Sequence, residues 1–496
     1  MADSLKEKTI SGMLWSGIGK FGVMGLQFVS NMVLARLLMP SDYGVVGMLH
    51  VFIAVSSIFV TAGFGSALIQ KKNPTHIDYT SVFYWNLVAA IVFYGILFFC
   101  GPAIARFYKM PELCAVLRVQ SLSLIVQAFS TVQSNQLQKQ LKFKVLSIRN
   151  IIATLVGTIV AIVMAFLGYG VWSLVISTLV SSIVSVFLLW KLSSWRPTWE
   201  FSWHSLKELF SFGGLMALSS FVETIYGNIL SLILGKYYSP STLGYYTQAR
   251  KLERIPSEAL SHVVGQVSFP VFSSLQDDKE KLLWGLRKNI KSLMFINVPL
   301  MLLMVVVGRP LILLLYGMKW EVSILYFQIL CFGGMVYSLN SLNVNVIKSL
   351  GKGKIYFFIQ LIKRLTALLM IFGSIFIGKY GIMDGVLALV IVYTLSFYIN
   401  IVINTFVNKR LIGYGLISQI KDVIVYFIIG GIVAVMTWGL KLLIGEWNQY
   451  VVMIIQIVVY FVFYLGICAI LKIEGFLTYY EIIQNKLHRN HKKASK

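Results

Sequence analysis

The chain is 496 residues long, 57% hydrophobic and only 12% charged. A soluble protein carries about twice that charged fraction, so the composition excludes an ordinary water-soluble enzyme or binding module and leaves a polytopic membrane protein. The net charge of +24 does not indicate a nucleic-acid partner, because the basic residues sit in short loops between apolar spans, as the positive-inside rule expects of cytoplasmic loops.

The opening MADSLKEKTI is polar and of mixed charge, and no small-residue cleavage motif follows the first apolar run. That run reads as a retained span rather than a cleaved signal peptide. About fourteen spans of ~20 residues follow along the chain. Their expected limits are 12–37, 43–68, 80–105, 113–135, 147–167, 170–190, 209–235, 242–273, 289–315, 321–347, 355–377, 381–406, 420–444 and 450–471. With both termini cytoplasmic, the inner segments hold roughly 28 basic residues against roughly eight at outer loops and edges, which sets the orientation. Among the inner ones are Lys139, Lys142, Lys144 and Arg149, and the tail from Lys472. The outer loops at 38–42, 167–170, 316–320 and 378–381 are too short to hold a catalytic domain.

The stretch 34–44, LARLLMPSDYG, matches 234–244, LGKYYSPSTLG, at an offset of 200. Lys142-Phe143-Lys144 parallels Lys352-Gly353-Lys354, and Tyr169-Gly170 parallels Tyr380-Gly381. The expected fold is therefore all-α: two six-helix bundles in parallel repeat, 1–190 and 209–408, then two further helices with a basic cytoplasmic tail, 409–496. Between the bundles lies a cytoplasmic linker, 191–208. There Trp195 precedes Trp199, Trp203, Leu206 and Phe210 at helical spacing, which predicts an in-plane interfacial helix anchored by aromatic rings. The alternative is an ordinary loop with belt tryptophans.

The eighth span is the densest in charge. Arg250 lies roughly 12 Å below its outer end at the α-helical rise, too deep for a simple interfacial position. Arg250, Glu253, Arg254, Ser257 and Ser261 share one face, and Lys251, Arg254, Glu258 and His262 form an adjoining stripe. Pro256 is expected to kink the helix. Ionisable groups at membrane depth face a protein interior or a wet cavity, so this face needs water or an anionic partner. The competing reading is a structural ladder, Arg250–Glu253 and Arg254–Glu258.

In the first span Ser16, Lys20, Gln27 and Asn31 share a face, which reads as a wet groove, with snorkelling of Lys20 as the alternative. The repeat offset maps His50 onto Arg250. Arg118, Lys363 and Arg364 are further cationic candidates. His50, Glu223 and Asp384 are candidates for binding a coupling cation or proton. Cys100, Cys114, Cys331 and Cys468 lack ligand spacing, and neither a metal site nor a disulfide framework is expected. No phosphate-cradling glycine loop, HExxH or catalytic triad arrangement emerges.

The chain resembles the Wzx-type polysaccharide flippases of the MATE/MOP superfamily, in the branch serving colanic-type and teichuronic-type polymers. The residues that carry the resemblance are Gly12-Met13-Leu14-Trp15-Ser16-Gly17, the stretch from Leu34 to Gly44, Gly63-Phe64-Gly65, Leu243-Gly244-Tyr245-Tyr246 with Arg250 and Pro256, and Phe269-Pro270. The resemblance implies a central cationic cavity between two bundles. Its cargo would be an undecaprenyl-diphosphate-linked oligosaccharide, moved from the cytoplasmic to the outer leaflet by alternating access, with no cofactor beyond an H+ or Na+ gradient. It carries the cavity role onto Lys20, Arg250 and Arg254; Gln27, Asn31 and Lys251 join them as candidates from the helix faces they share. Span two departs from the pattern, offering His50 and no arginine. The implied setting is a monomer in the bacterial cytoplasmic membrane, among membrane lipids, alongside the pathway's polymerase and glycosyltransferases. A cation-exporting multidrug antiporter of the same superfamily would be expected to show acidic cavity groups, whereas the deep charges here are mainly basic. A membrane polymerase or ligase would need a larger outer loop.

Overall fold

The computed structural model describes residues 2–444, 447–481 and 484, with all side chains in that range except those of 2–10, 13, 262–267 and 269–270. Among the described residues there is no β-strand. The helices are α1 (Ala2–Leu37), α2 (Pro40–Thr61), α3 (Phe64–Gln70), α4 (His76–Tyr108), α5 (Glu112–Gln120), α6 (Leu122–Lys139), α7 (Phe143–Phe166), α8 (Val171–Leu192) and α9 (Trp203–Tyr237). They continue as α10 (Pro240–Ser274), α11 (Lys279–Val306), α12 (Gly308–Tyr316), α13 (Ser323–Ser349), α14 (Gly353–Lys379), α15 (Gly385–Ile412), α16 (Leu416–Leu443) and α17 (Gln449–Ile470). Thirteen helical stretches, with α5 and α6 taken together, are long and apolar enough to cross a membrane. The charged α10 is a further long helix that is not among these thirteen.

Three local expectations are corrected. The fourth span is two helices meeting at Ser121, and the ninth breaks at Val307 into α11 and α12. The interfacial helix is absent: residues 193–202 are irregular, and Trp203 opens α9, which runs unbroken to Tyr237. Trp195 is buried among Tyr79, Phe83 and Leu206, while Arg196 donates to the Ser193 and Trp195 carbonyls at 2.7 Å. The ring that was expected among headgroups is thus part of a protein core. The third correction is α3, a short helix that follows α2 after Ala62 and Gly63, both at positive φ. Lys139 donates to the Leu68, Ile69 and Lys71 carbonyls, closing the C-terminal end of α3 with a cation as the helix dipole favours.

By their contacts the residues fall into two compact units, Met1–Thr247 and Gln248–Lys496, with the boundary inside α10. In the first unit α1 lies along α7. Gly19 permits the approach: a Cβ there would sit 2.3 Å from Ser147 Oγ, and that hydroxyl donates to the Trp15 carbonyl at 2.7 Å. The two repeat motifs meet. A Cβ on Gly44 would lie 1.9 Å from the Pro240 carbonyl oxygen, and one on Gly244 would lie 1.9 Å from that of Pro40. Each proline sits in the first turn of its helix, where the missing N–H costs nothing.

In the second unit α13 and α15 pack against each other, with α11 and α16 flanking them. Buried amides bind them: Asn408 Nδ2 donates to Asn343 Oδ1 at 2.7 Å, Gln419 Nε2 to the same oxygen at 2.6 Å, and Asn404 Nδ2 to Asn340 Oδ1 at 2.9 Å. Such interhelical hydrogen bonds hold apolar helices that gain no hydrophobic drive in lipid.

Candidate functional site

In the second unit, α10 presents its charged face to α13 and α15. Arg250, Glu253, Arg254 and Ser257 line a narrow recess of about 10 Å³, the room of a single water, with Gly334, Tyr337 and Tyr393 opposite. Arg250 Nη2 donates to Tyr393 Oη at 3.1 Å, and the guanidinium lies 5.3 Å from that ring's centre. Glu253 is buried and its Oε1 accepts from Ser257 Oγ at 3.0 Å. Gly334 lets that oxygen approach the α13 backbone closely, since a Cβ there would be 2.3 Å from it. Arg254 pairs with Glu258 at 3.3 Å, both side chains about half exposed at 42% and 50%. One rung of the expected ladder is therefore present, in a position where an exposed pair is easily exchanged for another anion. Lys251 is exposed, and the His262 side chain lies outside the described residues.

In the first unit Lys20 is exposed and lines an open groove of about 530 Å³ with Ser16, Ser134, Arg149 and Asn150. Gln27 is exposed and Asn31 buried, above it on α1. Arg149 counts in the sequence only as an inner-side charge at the start of the fifth expected span, 147–167; α7 begins at Phe143 and carries it into the groove. The signal that could have found it is the polar stripe Gln127, Ser130, Thr131, Ser134 and Gln138 on α6, spaced at helical intervals.

The other candidates are placed apart from these two clusters. Arg118 donates from Nε to the Phe98 carbonyl at 3.2 Å and covers the Phe98 ring at 4.1 Å. Asp384 caps α15, its Oδ1 accepting from Val386 N and Leu387 N at 3.0 and 2.9 Å. Lys363 is buried on α14 beside a half-buried Arg364, and neither lines the recess at Arg250. His50 and Glu223 are exposed on α2 and α9. Among the described residues no cluster of three or more metal-ligating side chains occurs.

A charged face inside a helical membrane protein does not by itself name a family, and sequence comparison supplies one. The family described as polysaccharide biosynthesis protein matches residues 33–325. The chain belongs to that family. Among its relatives, the lipopolysaccharide biosynthesis protein WzxC of Escherichia coli K12 is 27% identical, over 80% of this chain and 82% of the relative. The teichuronic acid biosynthesis protein TuaB of Bacillus subtilis 168 is 23% identical, over 88% and 90%. Among solved structures, the lipid II flippase MurJ in an inward closed conformation superposes with a TM-score of 0.77 at 16% identity, covering 95% of this chain and all, 100%, of that one. An inward-facing MATE-family multidrug transporter of the MOP superfamily reaches 0.61 at 16% identity, over 78% and 94%. The resemblance read from Leu34 to Gly44 and from Leu243 onward is thereby borne out. This member of the polysaccharide biosynthesis family is a multi-pass membrane protein with the fold of the MurJ and MATE structures.

Proposed function

We propose that the protein flips polyprenyl-diphosphate-linked oligosaccharide repeat units from the cytoplasmic to the outer leaflet of the bacterial cytoplasmic membrane, by alternating access and with both termini cytoplasmic. The observation that carries the reading is a membrane helix with Arg250, Lys251 and Arg254 on a single turn and a half, in a chain of the polysaccharide biosynthesis family. A diphosphate bearing a polar glycan cannot cross hydrocarbon unaided, whereas its polyprenyl tail can remain in lipid. The protein must supply fixed cations and a polar path. Arginine offers a fork matched to phosphate oxygens, and Tyr393 holds the Arg250 fork in place. On this stretch of α10 the cations Arg250, Lys251 and Arg254 outnumber the carboxylates Glu253 and Glu258.

Arg254 is released when a diphosphate displaces Glu258, while Glu253 stays bound to Ser257. Transport is coupled to a proton or sodium gradient, and the buried Glu253 is the acid on α10 best placed to report cargo arrival. Its product is the substrate of a polymerase acting on the outer face. The test is export by a chromosomal deletion strain complemented with an Arg250→Ala/Arg254→Ala double variant. Export is expected to fall at least a hundredfold, the effect of losing two charge-assisted contacts of about 1.5 kcal/mol or more each, with the variant present in the membrane at wild-type level. Wild-type export by that stably inserted variant would sink the reading.

A further inference from the structure

The first unit carries a second polar surface that the diphosphate reading does not use. Next to the groove at Lys20, and sharing Ser134, Arg149, Asn150 and Thr154 with it, lies a recess of about 390 Å³ walled by α6, α7 and α8. Both volumes are in the range of small-molecule sites, roughly 300–1,000 Å³. The walls of this recess are serine, threonine, asparagine, glutamine, Arg149 and one alanine, with no acid, whereas the groove beside it adds Lys20 and apolar side chains such as Phe143 and Leu146.

The hydrogen-bond directions say what such a wall receives. Ser130 and Thr131 donate to the Gln127 carbonyl at 3.0 Å each, Ser134 to that of Ser130 at 2.8 Å, and Ser182 to that of Thr178 at 2.9 Å. Hydroxyls that donate backwards into their own helix leave the oxygen lone pairs as acceptors on the open side. Arg149 is held in the middle: Nη1 donates to Ser134 Oγ at 2.9 Å, and Nε and Nη2 both donate to Asn150 Oδ1, at 3.1 and 2.5 Å. A guanidinium has five N–H donors, so its fork keeps donors for a ligand. Asn135 also lines the recess, and its Nδ2 is shielded from solvent with no partner among the described residues. A surface of hydroxyl acceptors, amide groups and one arginine matches a polyhydroxylated ligand bearing an anionic oxygen.

The geometry points to a saccharide-binding groove on α6, α7 and α8, in which the sugar hydroxyls donate to the serine and threonine oxygens and Arg149 holds an acidic substituent. The inference rests on the flippase reading for its cargo, but it assigns the sugar rather than the diphosphate. It makes α6 to α8 the part of the protein that distinguishes one repeat unit from another.

The experiment uses the full chain in lipid nanodiscs and two probes: inorganic pyrophosphate, and the repeat-unit oligosaccharide released by hydrolysis from the polymer the host cell exports. Arg149→Gln and a Ser134→Ala/Asn150→Ala pair are expected to weaken oligosaccharide binding about tenfold, the loss of one to two hydrogen bonds. Pyrophosphate affinity stays within twofold, and Arg149→Lys falls between Arg149→Gln and the wild type. Thermal unfolding of each variant, and its binding of pyrophosphate, confirm that it is folded. Oligosaccharide affinity equal to wild type in all of these variants overturns the groove while leaving the flippase reading intact. Undiminished polymer export in a strain lacking the chain overturns the flippase reading itself. Loss of pyrophosphate and oligosaccharide binding together, in a folded variant, also counts against a separate sugar site.

Discussion

Pro102 and Pro299 lie inside α4 and α11, and each lacks the N–H that would satisfy the carbonyl four residues earlier. The carbonyls stranded in this way are those of Phe98 and Phe295. Both are answered by side chains: Arg118 Nε donates to Phe98 O at 3.2 Å, and Tyr464 Oη donates to Phe295 O at 2.9 Å. This gives Arg118, a cation that the sequence nominates for the cargo site, work in holding a proline-broken helix. The expected outcome is a double-mutant cycle with strong coupling. Arg118→Leu destabilises the purified protein by about 1–3 kcal/mol, the cost of a shielded carbonyl left without a donor. In a Pro102→Ala background the new alanine N–H takes that carbonyl, and most of the cost disappears. Equal destabilisation in the two backgrounds, read from thermal unfolding in detergent, would show that Arg118 acts elsewhere. Which carbonyl a proline strands is legible in sequence. Its donor is not, because it comes from a residue 20 positions away in one case and 169 in the other.

Whole elements were more legible than their partners. The spacing of apolar runs placed the long helices, and the matching PSDYG and PSTLG stretches marked both ends of a contact that pairs Gly44 with Pro240 and Gly244 with Pro40. The reason is physical: a helix start with proline in its first turn and a glycine four residues on is a local pattern, and close backbone approach demands the glycine. The linker failed for the opposite reason. Trp195 and Leu206 have helical neighbours in sequence, but their burial is decided by Tyr79 and Phe83 on α4, which no local period reports. Arg149 is not legible as a groove residue because its place there depends on Ser134 of α6, which the period of its own helix does not report. The paired glycines also make a prediction. Gly44→Ala and Gly244→Ala each drive a methyl into a carbonyl oxygen, so both are expected to destabilise by about 1–3 kcal/mol and by similar amounts. Gly431→Ala on α16, where nothing lies within 4 Å of the added Cβ, is expected to be neutral or to stabilise by up to ~1 kcal/mol. Thermal unfolding of the three variants in parallel checks the contrast, and a Gly44→Ala protein as stable as Gly431→Ala contradicts it.

At the scale of the whole molecule, each unit contains a buried carboxylate, Asp78 in the first and Asp422 in the second, whose ion pairs join separate segments of the chain. In the first, Asp78 takes Lys71 at 3.0 Å, and Lys71 also reaches Glu208 on α9 at 2.9 Å. Burial pulls the Lys71 ammonium down, but its bonds to Glu208 and Asp78 outweigh that and hold it above the usual lysine range. A raised lysine contributes fully below its ordinary value and loses the contribution only as pH rises through the raised one, so this tie is constant across neutral pH. In the second unit, Asp422 on α16 receives Arg287 Nε and Nη2 from α11, each at 2.8 Å, and Tyr414 Oη at 2.7 Å. Lys291 stands 3.4 Å from its Oδ1 and pairs at 2.5 Å with Glu474, beyond α17. A buried acid shared by several donors is harder to break than scattered surface pairs. Asp422→Ala leaves Arg287, Lys291 and Tyr414 without their common acceptor and is expected to cost about 3–5 kcal/mol. The comparison is Arg309→Ala, which breaks an exposed pair with Glu321, 54% and 51% accessible, and is expected to cost no more than ~1 kcal/mol. Thermal unfolding in nanodiscs at low and high salt reads both. The Arg309 effect should fade with salt while the Asp422 effect persists, because salt screens the exposed pair and hardly reaches the buried one. A salt-sensitive Asp422→Ala penalty no larger than that of Arg309→Ala would make the cluster a surface feature rather than the tie of the second unit.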